Sequence, residues 1–214
     1  MQAPSTDDDS TPPRNRPWLI GLVGGVASGK STVARDLAEH GALWLDCDKL
    51  AHQVLESPEV ERAINAKFPE TAMGSQGRVD RRRLAALVFG DDAAAVARRR
   101  WLEALIHPRV RAVAEQRIAE AGNRYPAIVI DAPLLIEAGW ADLCDRILLV
   151  DTPRDTRRRL AVARGWSVEE FTKRELSQMP VEEKRGYATD TLTNDGSIEE
   201  LRARVAGFWQ KLQR

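Results

Sequence analysis

Five short apolar runs are spaced along the chain, and the segments between them carry apolar residues at the three-to-four spacing of helices. Strands that alternate with helices are typical of a parallel sheet with helices packed on both of its faces. We therefore predict a three-layer α/β/α fold with a five-stranded parallel sheet, whose strands lie at 19–23, 42–45, 127–130, 147–150 and, with a weaker signal, 189–193.

Two of the connections between these strands are too long to be a single crossover helix. The first, about 49–123, contains several amphipathic stretches and predicts a helical insertion beside the sheet. The second, about 152–187, predicts another helical segment, in which Met179-Pro180 ends a helix because proline has no N–H to donate. The expected core is then about 18–48, 124–151 and 188–214.

Serine and glutamate at capping-box spacing mark the start of two predicted helices. Ser167 with Glu170 and Ser197 with Glu200 both have this spacing. The helix that starts at Ser197 is expected to bury Ile198, Leu201, Val205, Phe208 and Leu212.

The charge balance argues against two classes of protein. Lys+Arg and Asp+Glu both number 32, whereas a general nucleic-acid or membrane-surface binder is expected to have a basic excess. No apolar run approaches the ~20 residues that a membrane span requires. We therefore expect no nucleic-acid partner and no membrane partner.

Two further features bear on the location of the protein. Cys47 and Cys144 have neither metal-ligand spacing nor a disulfide framework, which favours a reduced, cytoplasmic compartment. Residues 1–17 contain three consecutive aspartates, several prolines and no apolar stretch. They predict a disordered tail and not a signal peptide.

Residues 24–31, Gly-Gly-Val-Ala-Ser-Gly-Lys-Ser, match the phosphate-binding loop G-x-x-x-x-G-K-[ST] between a predicted strand and a predicted helix. Glycines let the backbone wrap closely around a phosphate, and successive amide N–H groups with the helix N-terminus supply positive potential. Lys30 is placed to reach the β- and γ-phosphates, and the Ser31 hydroxyl to bind Mg²⁺. We predict a site for a nucleoside triphosphate with Mg²⁺, whose contacts are Gly25, Val26, Ala27, Ser28, Gly29, Lys30, Ser31 and Thr32.

A nucleotide core with two helical segments suits a phosphotransferase. The insertion can hold the acceptor of the phosphoryl group. The segment at about 152–187 can act as a lid that closes over the phosphates and excludes water, the competing acceptor.

Carboxylates follow the second and third predicted strands, and ligands of such sheets bind at the carboxyl ends of the strands. On an extended chain Asp46 and Asp48 would point the same way, so that one could take the proton of an alcohol acceptor and the other hold the Mg²⁺ shell through water. Asp131 resembles a Walker-B partner of Mg²⁺. Alternatively, Asp48 caps a helix that starts at Lys49 with Asp46 in a turn, and Asp131 is a turn residue before proline.

The predicted lid carries four arginines, Arg157, Arg158, Arg159 and Arg164. Arginine binds phosphate bidentately and stabilises spread negative charge, although these four could instead form a solvated helix face. Asn194, after the last strand, could contact the adenine or begin a left-handed turn with the two residues that follow it.

Several short motifs follow one another along the chain. They are the loop at 21–32, Asp46-Cys47-Asp48 with Ala51-His52, Arg81, Ile106-His107-Pro108, Asp131-Ala132-Pro133-Leu134-Leu135 with Glu137, Gln178-Met179-Pro180, Glu183-Lys184 and Asn194-Asp195-Gly196. A chain with these motifs in this order resembles the dephospho-coenzyme A kinase family, which catalyses the last step of coenzyme A synthesis. The resemblance covers nearly all of 19–207.

This resemblance implies transfer of the γ-phosphoryl group of ATP to the ribose 3′-hydroxyl of dephospho-CoA, with ATP and dephospho-CoA as the small-molecule partners. It implies that Asp48 is the catalytic base and that Lys30 and Ser31 bind phosphate and Mg²⁺. From the residues alone, Asp131 and Asp46 are the other candidate metal residues. The resemblance also places Arg81, His107, Leu134 and Leu135 towards the acceptor, although a histidine before proline is more commonly a packing or capping residue. We expect a monomer or a weak homo-oligomer.

The chain departs from the usual family pattern in the lid and in the last strand. In the Arg-x-x-x-Arg-Asp pattern of the lid, Arg159 matches the first arginine, but the second falls on Ala163, next to Arg164. Arg159 and Arg164 are therefore both candidate catalytic residues. The strand at 188–194, which precedes the predicted adenine contact of Asn194, is more polar than usual.

Two other functions are considered. Another P-loop small-molecule kinase, for gluconate, shikimate or a nucleoside monophosphate, would share the loop, but the long insertion and the motif at 131–135 argue against it. A regulatory GTPase would need an Asn-Lys-x-Asp guanine motif, and no asparagine of the chain is followed by lysine.

Overall fold

A parallel sheet of five strands lies at the centre of the computed structural model. The structure describes residues 15–69, 72–74, 78–88, 90 and 92–213. The strands are ordered β2-β3-β1-β4-β5, and every neighbouring pair is parallel. They are β1 (Trp18–Gly24), β2 (Leu43–Asp46), β3 (Ala127–Asp131), β4 (Arg146–Asp151) and β5 (Asp190–Thr193). The five predicted strands are confirmed to within one or two residues at each end.

Side chains of β1 alternate between two hydrophobic clusters, one on each face of the sheet. Ile20 and Leu22 pack with α1 and α9, whereas Val23 packs with the helices on the other face. Both faces are buried, so the central strands consist of apolar residues with little polar alternation. The predicted three-layer α/β/α fold is confirmed.

Nine helices are described around this sheet, together with one short 3-10 turn, Ala141–Leu143. Their bounds are α1 (Lys30–Glu39), α2 (Cys47–Leu55), α3 (Pro58–Lys67), α4 (Arg81–Val88), α5 (Ala93–Ala121), α6 (Arg154–Ala163), α7 (Val168–Leu176), α8 (Val181–Arg185) and α9 (Ile198–Leu212).

Helices α2 to α5 occupy the segment predicted as an insertion, and α6 to α8 occupy the segment predicted as a lid. Helix α5 continues through Pro108 over 29 residues. Pro180 is the N-cap of α8 and separates it from α7, as predicted for Met179-Pro180. The boundaries of the three sub-regions and the closure of the lid stay predictions.

Of the two predicted capping boxes, the one at Ser197 is confirmed and the one at Ser167 is confirmed only in part. Ser197 and Glu200 form a complete capping box. The Ser167 hydroxyl accepts from the Glu170 N–H at 3.1 Å, but the Glu170 carboxylate accepts from Arg174 instead of closing the box. Leu201, Val205 and Phe208 of α9 are buried and Leu212 is partly buried, as predicted.

Two predictions at the margins of the fold are wrong. Ile198 is 43% exposed because it lies in the first turn of α9, ahead of the part that packs on the sheet. Arg16 and Pro17 were assigned to the disordered tail, but Arg16 donates to both carboxylate oxygens of Asp145, and Pro17 is buried. Residues 1–14 of that tail lie outside the described residues. In the described part of the chain, every helix is too short or too polar to cross a membrane.

Candidate active site

The phosphate-binding loop connects β1 to α1 at the carboxyl edge of the sheet, where the sequence predicts it. Gly29 is the N-cap of α1 with a φ of 93°, a left-handed conformation that favours glycine. The turn is closed by the Ser28 N–H, which donates to the Gly25 carbonyl at 3.2 Å. The N-terminus of α1 therefore begins directly at this turn, and the positive end of a helix favours the binding of phosphate.

Ala27 is the only described residue other than glycine with a positive φ, at 59°. It stands where the resembling family usually has glycine. Its side chain packs, together with Val26, against Ala161 and Phe171 of the lid helices. The loop is therefore in apolar contact with the lid.

Lys30, the first residue of α1, turns back over the loop. Its Nζ donates to the carbonyls of Gly24 and Gly25 at 3.3 and 3.1 Å. The pKa of Lys30 is lowered to about 8, mainly by burial and next by the charge of Lys184, while Asp131 and Asp48 act in the opposite direction. An ammonium group in such a place favours an anionic ligand.

Asp46 and Asp131 lie side by side at the ends of neighbouring strands, in register across the β2–β3 pair. Asp131 is 9% exposed, and burial raises its pKa, while Lys30 and a hydrogen bond with Ser31 oppose the rise. Asp46 caps α2, because its carboxylate accepts from the Lys49 N–H at 3.0 Å. Hence Asp46, and not Asp48, is the helix cap, and the helix starts two residues earlier than Lys49.

Asp48 lies in the first turn of α2, not on an extended chain, so the expectation that it points the same way as Asp46 on a strand is wrong. Its pKa is raised by partial burial and by the charge of Asp46, and is lowered by His52 and Lys30. Asp48 lines the cavity described next and is close enough to Lys30 to affect its pKa. It is the residue that joins the phosphate loop to this cavity.

A cavity of about 290 Å³ lies between α2, α5 and the segment that follows β3. Its polar lining residues are Asp48, Glu103 and His107. The rest of the wall is mostly apolar and includes Leu102, Ile106, Val110, Pro133, Leu134 and Trp140. Such a mixture is typical of a site for a small molecule.

Two of the four residues predicted to contact the acceptor line this cavity, and two do not. His107 and Leu134 face it. Leu135 is 1% exposed and packs in the core, where its side chain fills the space beside Gly21. Arg81 makes an ion pair with Glu56 at the surface. Their roles in binding stay predictions.

The lid arginines are distributed differently from the expectation. Arg159 is exposed and donates to the Thr156 hydroxyl at 3.0 Å, and Arg164 is exposed at the C-cap of α6. Arg157 is only 6% exposed and lies against the phosphate loop. The structure thus brings Arg157, and neither Arg159 nor Arg164, next to Gly25.

Asn194 lies behind the loop. Its side-chain amide donates to the Ser28 carbonyl at 2.9 Å, and the Thr152 hydroxyl donates to the same oxygen at 2.7 Å. Neither Asn194 nor the next two residues have a positive φ, so the left-handed turn is wrong. Asn194 supports the loop from β5, and its contact with adenine stays a prediction.

The sequence indicates Arg157 only as one of four lid arginines that could bind phosphate, and it assigns no role in the site to Lys184 or Thr152. Lys184 was part of a motif but had no assigned role. The sequence of α6 does not select Arg157, because the four residues at 160–163 are all apolar and define no single helix face. In the structure, Arg157 and Ala161 are the buried residues of this helix.

Among the described residues, no three acidic, histidine or cysteine side chains form a group that could hold a metal ion alone. Asp131 lies next to Asp46 and forms a hydrogen bond with the Ser31 hydroxyl. These groups fit a metal site that is completed by the substrate. Mg²⁺ in nucleotide sites is held by one or two carboxylates together with substrate phosphates and water.

The model of one protein family, dephospho-CoA kinase, matches residues 18–200. A dephospho-CoA kinase of Rhodopirellula baltica is 39% identical over 197 residues, which are 92% of this chain and 91% of that protein. One of Thermus thermophilus is 43% identical over 86% of this chain and 87% of that protein.

Solved structures agree with these relatives. A crystal structure from Thermus thermophilus has a TM-score of 0.78 and 41% identity over 92% of this chain and 98% of its own. A dephospho-CoA kinase from Campylobacter jejuni has a TM-score of 0.63 and 22% identity over 91% and 96% of the two chains, and this likeness supports the fold.

Proposed function

The chain belongs to the dephospho-CoA kinase family, and on this premise we propose that it transfers the γ-phosphoryl group of ATP to the ribose 3′-hydroxyl of dephospho-CoA. The products are CoA and ADP, and the reaction is the final step of coenzyme A synthesis. One observation carries the proposal: Asp48 lines the apolar cavity and also lies within electrostatic reach of Lys30 of the phosphate loop. A phosphoryl donor and an alcohol acceptor would therefore meet at one carboxylate.

The phosphate loop would bind the ATP polyphosphate. Lys30 and the amide groups at the start of α1 supply positive potential for the β- and γ-phosphates. The hydrogen bonds from Asn194 and Thr152 to Ser28 hold the loop in this shape before the nucleotide arrives. Little reorganisation is then needed when charge develops during transfer.

The cavity would receive dephospho-CoA. Its apolar wall offers contact to the non-reacting parts of the acceptor, while His107 and Glu103 supply polar contacts. Binding energy from these remote contacts can position the 3′-hydroxyl beside Asp48.

Asp48 would act as the general base. Asp46 is the weaker candidate, because its carboxylate already accepts from the Lys49 N–H and pairs with the Lys49 ammonium at 3.0 Å. The raised pKa of Asp48 makes it a stronger proton acceptor than an ordinary carboxylate. In the transfer the 3′-oxygen forms a bond to phosphorus, its proton passes to Asp48, and the bond from the γ-phosphorus to the bridging oxygen of ADP breaks.

Mg²⁺ would be held by Ser31 and Asp131, with Asp46 acting through water. When bound with ATP, it neutralises phosphate charge and orients the γ-phosphoryl group. The cytoplasmic location and the monomeric or weakly oligomeric state stay predictions.

The proposal is tested by measuring ADP release from ATP and Mg²⁺ with purified protein and, separately, dephospho-CoA, AMP, gluconate and shikimate. We expect kcat/KM for dephospho-CoA to exceed that for each other acceptor by about 10³-fold or more, since the other acceptors leave polar groups of the site without partners. A comparable or larger kcat/KM for one of the others would show that the chain is a different P-loop small-molecule kinase.

The role of the cavity is tested by filling it. Leu102→Trp, on the cavity wall, is expected to raise KM for dephospho-CoA about tenfold or more while ATP affinity stays within about twofold, because one lost pocket contact or clash is typically 1–3 kcal/mol. Ala104→Trp, at an exposed position two residues further along α5, is the matched control. Equal KM values for the two variants would exclude this cavity as the acceptor site.

A further inference from the structure

Two buried cations of the lid face the phosphate loop. Arg157 on α6 is 6% exposed, and Lys184 on α8 is 2% exposed. Charged side chains of this kind are rarely buried unless they are paired with an opposite charge. Their environment therefore indicates what they bind.

Arg157 is held in one orientation by the lid itself. Its Nε donates to the Thr152 carbonyl at 3.1 Å, and its Nη1 donates to the Glu175 carboxylate at 2.8 Å. Glu175 also accepts from Arg154 at 2.8 Å, so it is shared between two guanidinium groups. The rotamer of Arg157 is thus fixed, while its charge is only partly balanced.

The guanidinium of Arg157 lies flat against the phosphate loop. A Cβ atom added to Gly25 would lie 2.6 Å from Nη1 and 2.8 Å from Nε. A guanidinium has five N–H donors, and the two bonds above use two of them. Within the described part of the chain, the remaining donors, which belong to Nη1 and Nη2, make no hydrogen bond.

Lys184 is also poorly neutralised. Its Nζ lies 3.6 Å from the Glu137 carboxylate and 3.4 Å from the Gln178 side-chain oxygen, which is long for either interaction. Helix α8 packs against β1, the strand that leads into the phosphate loop, and the charge of Lys184 contributes to the lowered pKa of Lys30. Two cations brought together at low exposure repel each other unless an anion lies between them.

Three cations, Lys30, Arg157 and Lys184, therefore belong to the phosphate loop and to the helices packed on it. The carboxylates of Asp131 and Asp48 are near enough to Lys30 to affect its pKa. In phosphoryl transfer, negative charge is spread over three equatorial oxygens of the transferred group, and cations around them stabilise the transition state.

We propose that Arg157 and Lys184 are catalytic residues that bind the γ-phosphoryl group of ATP, in place of Arg159 and Arg164. The proposal rests on the proposed function for the identity of the reaction, but nucleotide binding by itself does not depend on the acceptor. Arg157 reaches the phosphoryl group over Gly25, and Lys184 reaches it beside Lys30. Because both residues belong to the lid, the position of the lid then depends on whether the bound nucleotide has a third phosphate.

The test compares Arg157→Met and Lys184→Met with Arg158→Ala, an exposed neighbour on α6 that pairs with Asp155. Affinities are measured for ADP and for β,γ-imido-ATP, each with Mg²⁺, and kcat is measured with dephospho-CoA. Each Met variant is expected to bind β,γ-imido-ATP about 10–100-fold more weakly, because a charge-assisted hydrogen bond is lost, while ADP affinity stays within about twofold. We expect kcat of each Met variant to fall about 10²-fold or more. The nucleotide affinities and kcat of Arg158→Ala are expected to be unchanged.

An equal loss of affinity for ADP and β,γ-imido-ATP would show that the two residues only support the fold, and would overturn the proposal. So would an unchanged affinity for β,γ-imido-ATP, or the same selective loss in Arg159→Ala or Arg164→Ala instead. Melting temperatures identify variants that do not fold, and Arg157→Gln and Lys184→Gln, which keep donors for the same partners, are then measured in their place. If the wild-type protein does not phosphorylate dephospho-CoA, the proposed function fails while the nucleotide comparison still decides this assignment.

Discussion

Replacing Asp48 by asparagine is expected to reduce kcat by about 10²–10⁴-fold, the usual contribution of a general base, while ATP affinity stays within about twofold. The physical reason is the loss of the proton acceptor beside the acceptor hydroxyl, with little change in size. Steady-state kinetics with dephospho-CoA and a direct nucleotide-binding measurement check the two parts of this expectation.

Asp46→Asn is the comparison variant, because Asp46 caps α2 and pairs with Lys49. It should lower apparent Mg²⁺ affinity and stability more than it lowers kcat at saturating Mg²⁺. If Asp46→Asn loses the larger part of kcat and Asp48→Asn keeps it, the roles of the two carboxylates are reversed.

The pH dependence of the wild-type enzyme provides an additional check on Asp48. Its pKa is raised by partial burial and by Asp46, so protonation on acidification begins above the pH at which an ordinary aspartate is protonated. The activity is then lost as the pH falls through this raised pKa. In Asp48→Asn, the residual rate should no longer fall with decreasing pH over this range.

Replacing Lys30 by methionine is expected to reduce kcat by about 10²–10³-fold, the typical loss for one preorganised electrostatic contact at a transition state. Methionine keeps most of the length and apolar volume of lysine and removes the charge. Turnover with dephospho-CoA and the affinity for β,γ-imido-ATP are the measurements, and near-normal turnover would remove Lys30 from the mechanism.

The same variant should increase the stability of the protein without nucleotide. The pKa of Lys30 is lowered to about 8 by burial, against 10.5 for an ordinary lysine, so the unfolded chain binds the proton more tightly than the folded one. The buried charge thus costs stability below about pH 8, and the cost disappears as the pH rises towards 10.5. Lys30→Met is expected to raise the free energy of unfolding at pH 7 by about 1–3 kcal/mol, with a smaller gain above pH 10. A lower stability at pH 7 would contradict this account of the site.

The sheet could be predicted from the sequence because its central strands are buried on both faces. The runs at β1, β3 and β4 are nearly continuous apolar segments, and few other local structures require that composition. The phosphate loop could be predicted because its function depends on consecutive backbone groups. All of its residues therefore lie within one short segment of the sequence.

The side of the site that faces the lid could not be predicted in the same way. Which arginine meets the loop depends on the rotation of α6, which is set by the packing of Ala161 with Val26 and Phe171. Comparison with a motif at fixed spacing selected Arg159 and Arg164. The helical phase of the buried face selects Arg157 instead.

The cavity could not be predicted from local sequence patterns either. Its wall combines Asp48 from α2, Leu102 and His107 from α5, and Leu134 and Trp140 from the segment after β3. These residues lie far apart in the chain and meet only when α5 packs on α2. A single residue such as His107 before Pro108 has no local signal that separates a cavity wall from an ordinary packing position.

The most direct test of the central claim is to identify the product formed from ATP, Mg²⁺ and dephospho-CoA by ³¹P NMR. We expect one new phosphate monoester, coupled to the proton at the ribose 3′ position, in an amount equal to the ADP released. ADP release without this monoester, or a phosphate on another oxygen of the acceptor, would contradict the claim that Asp48 activates the 3′-hydroxyl for phosphoryl transfer.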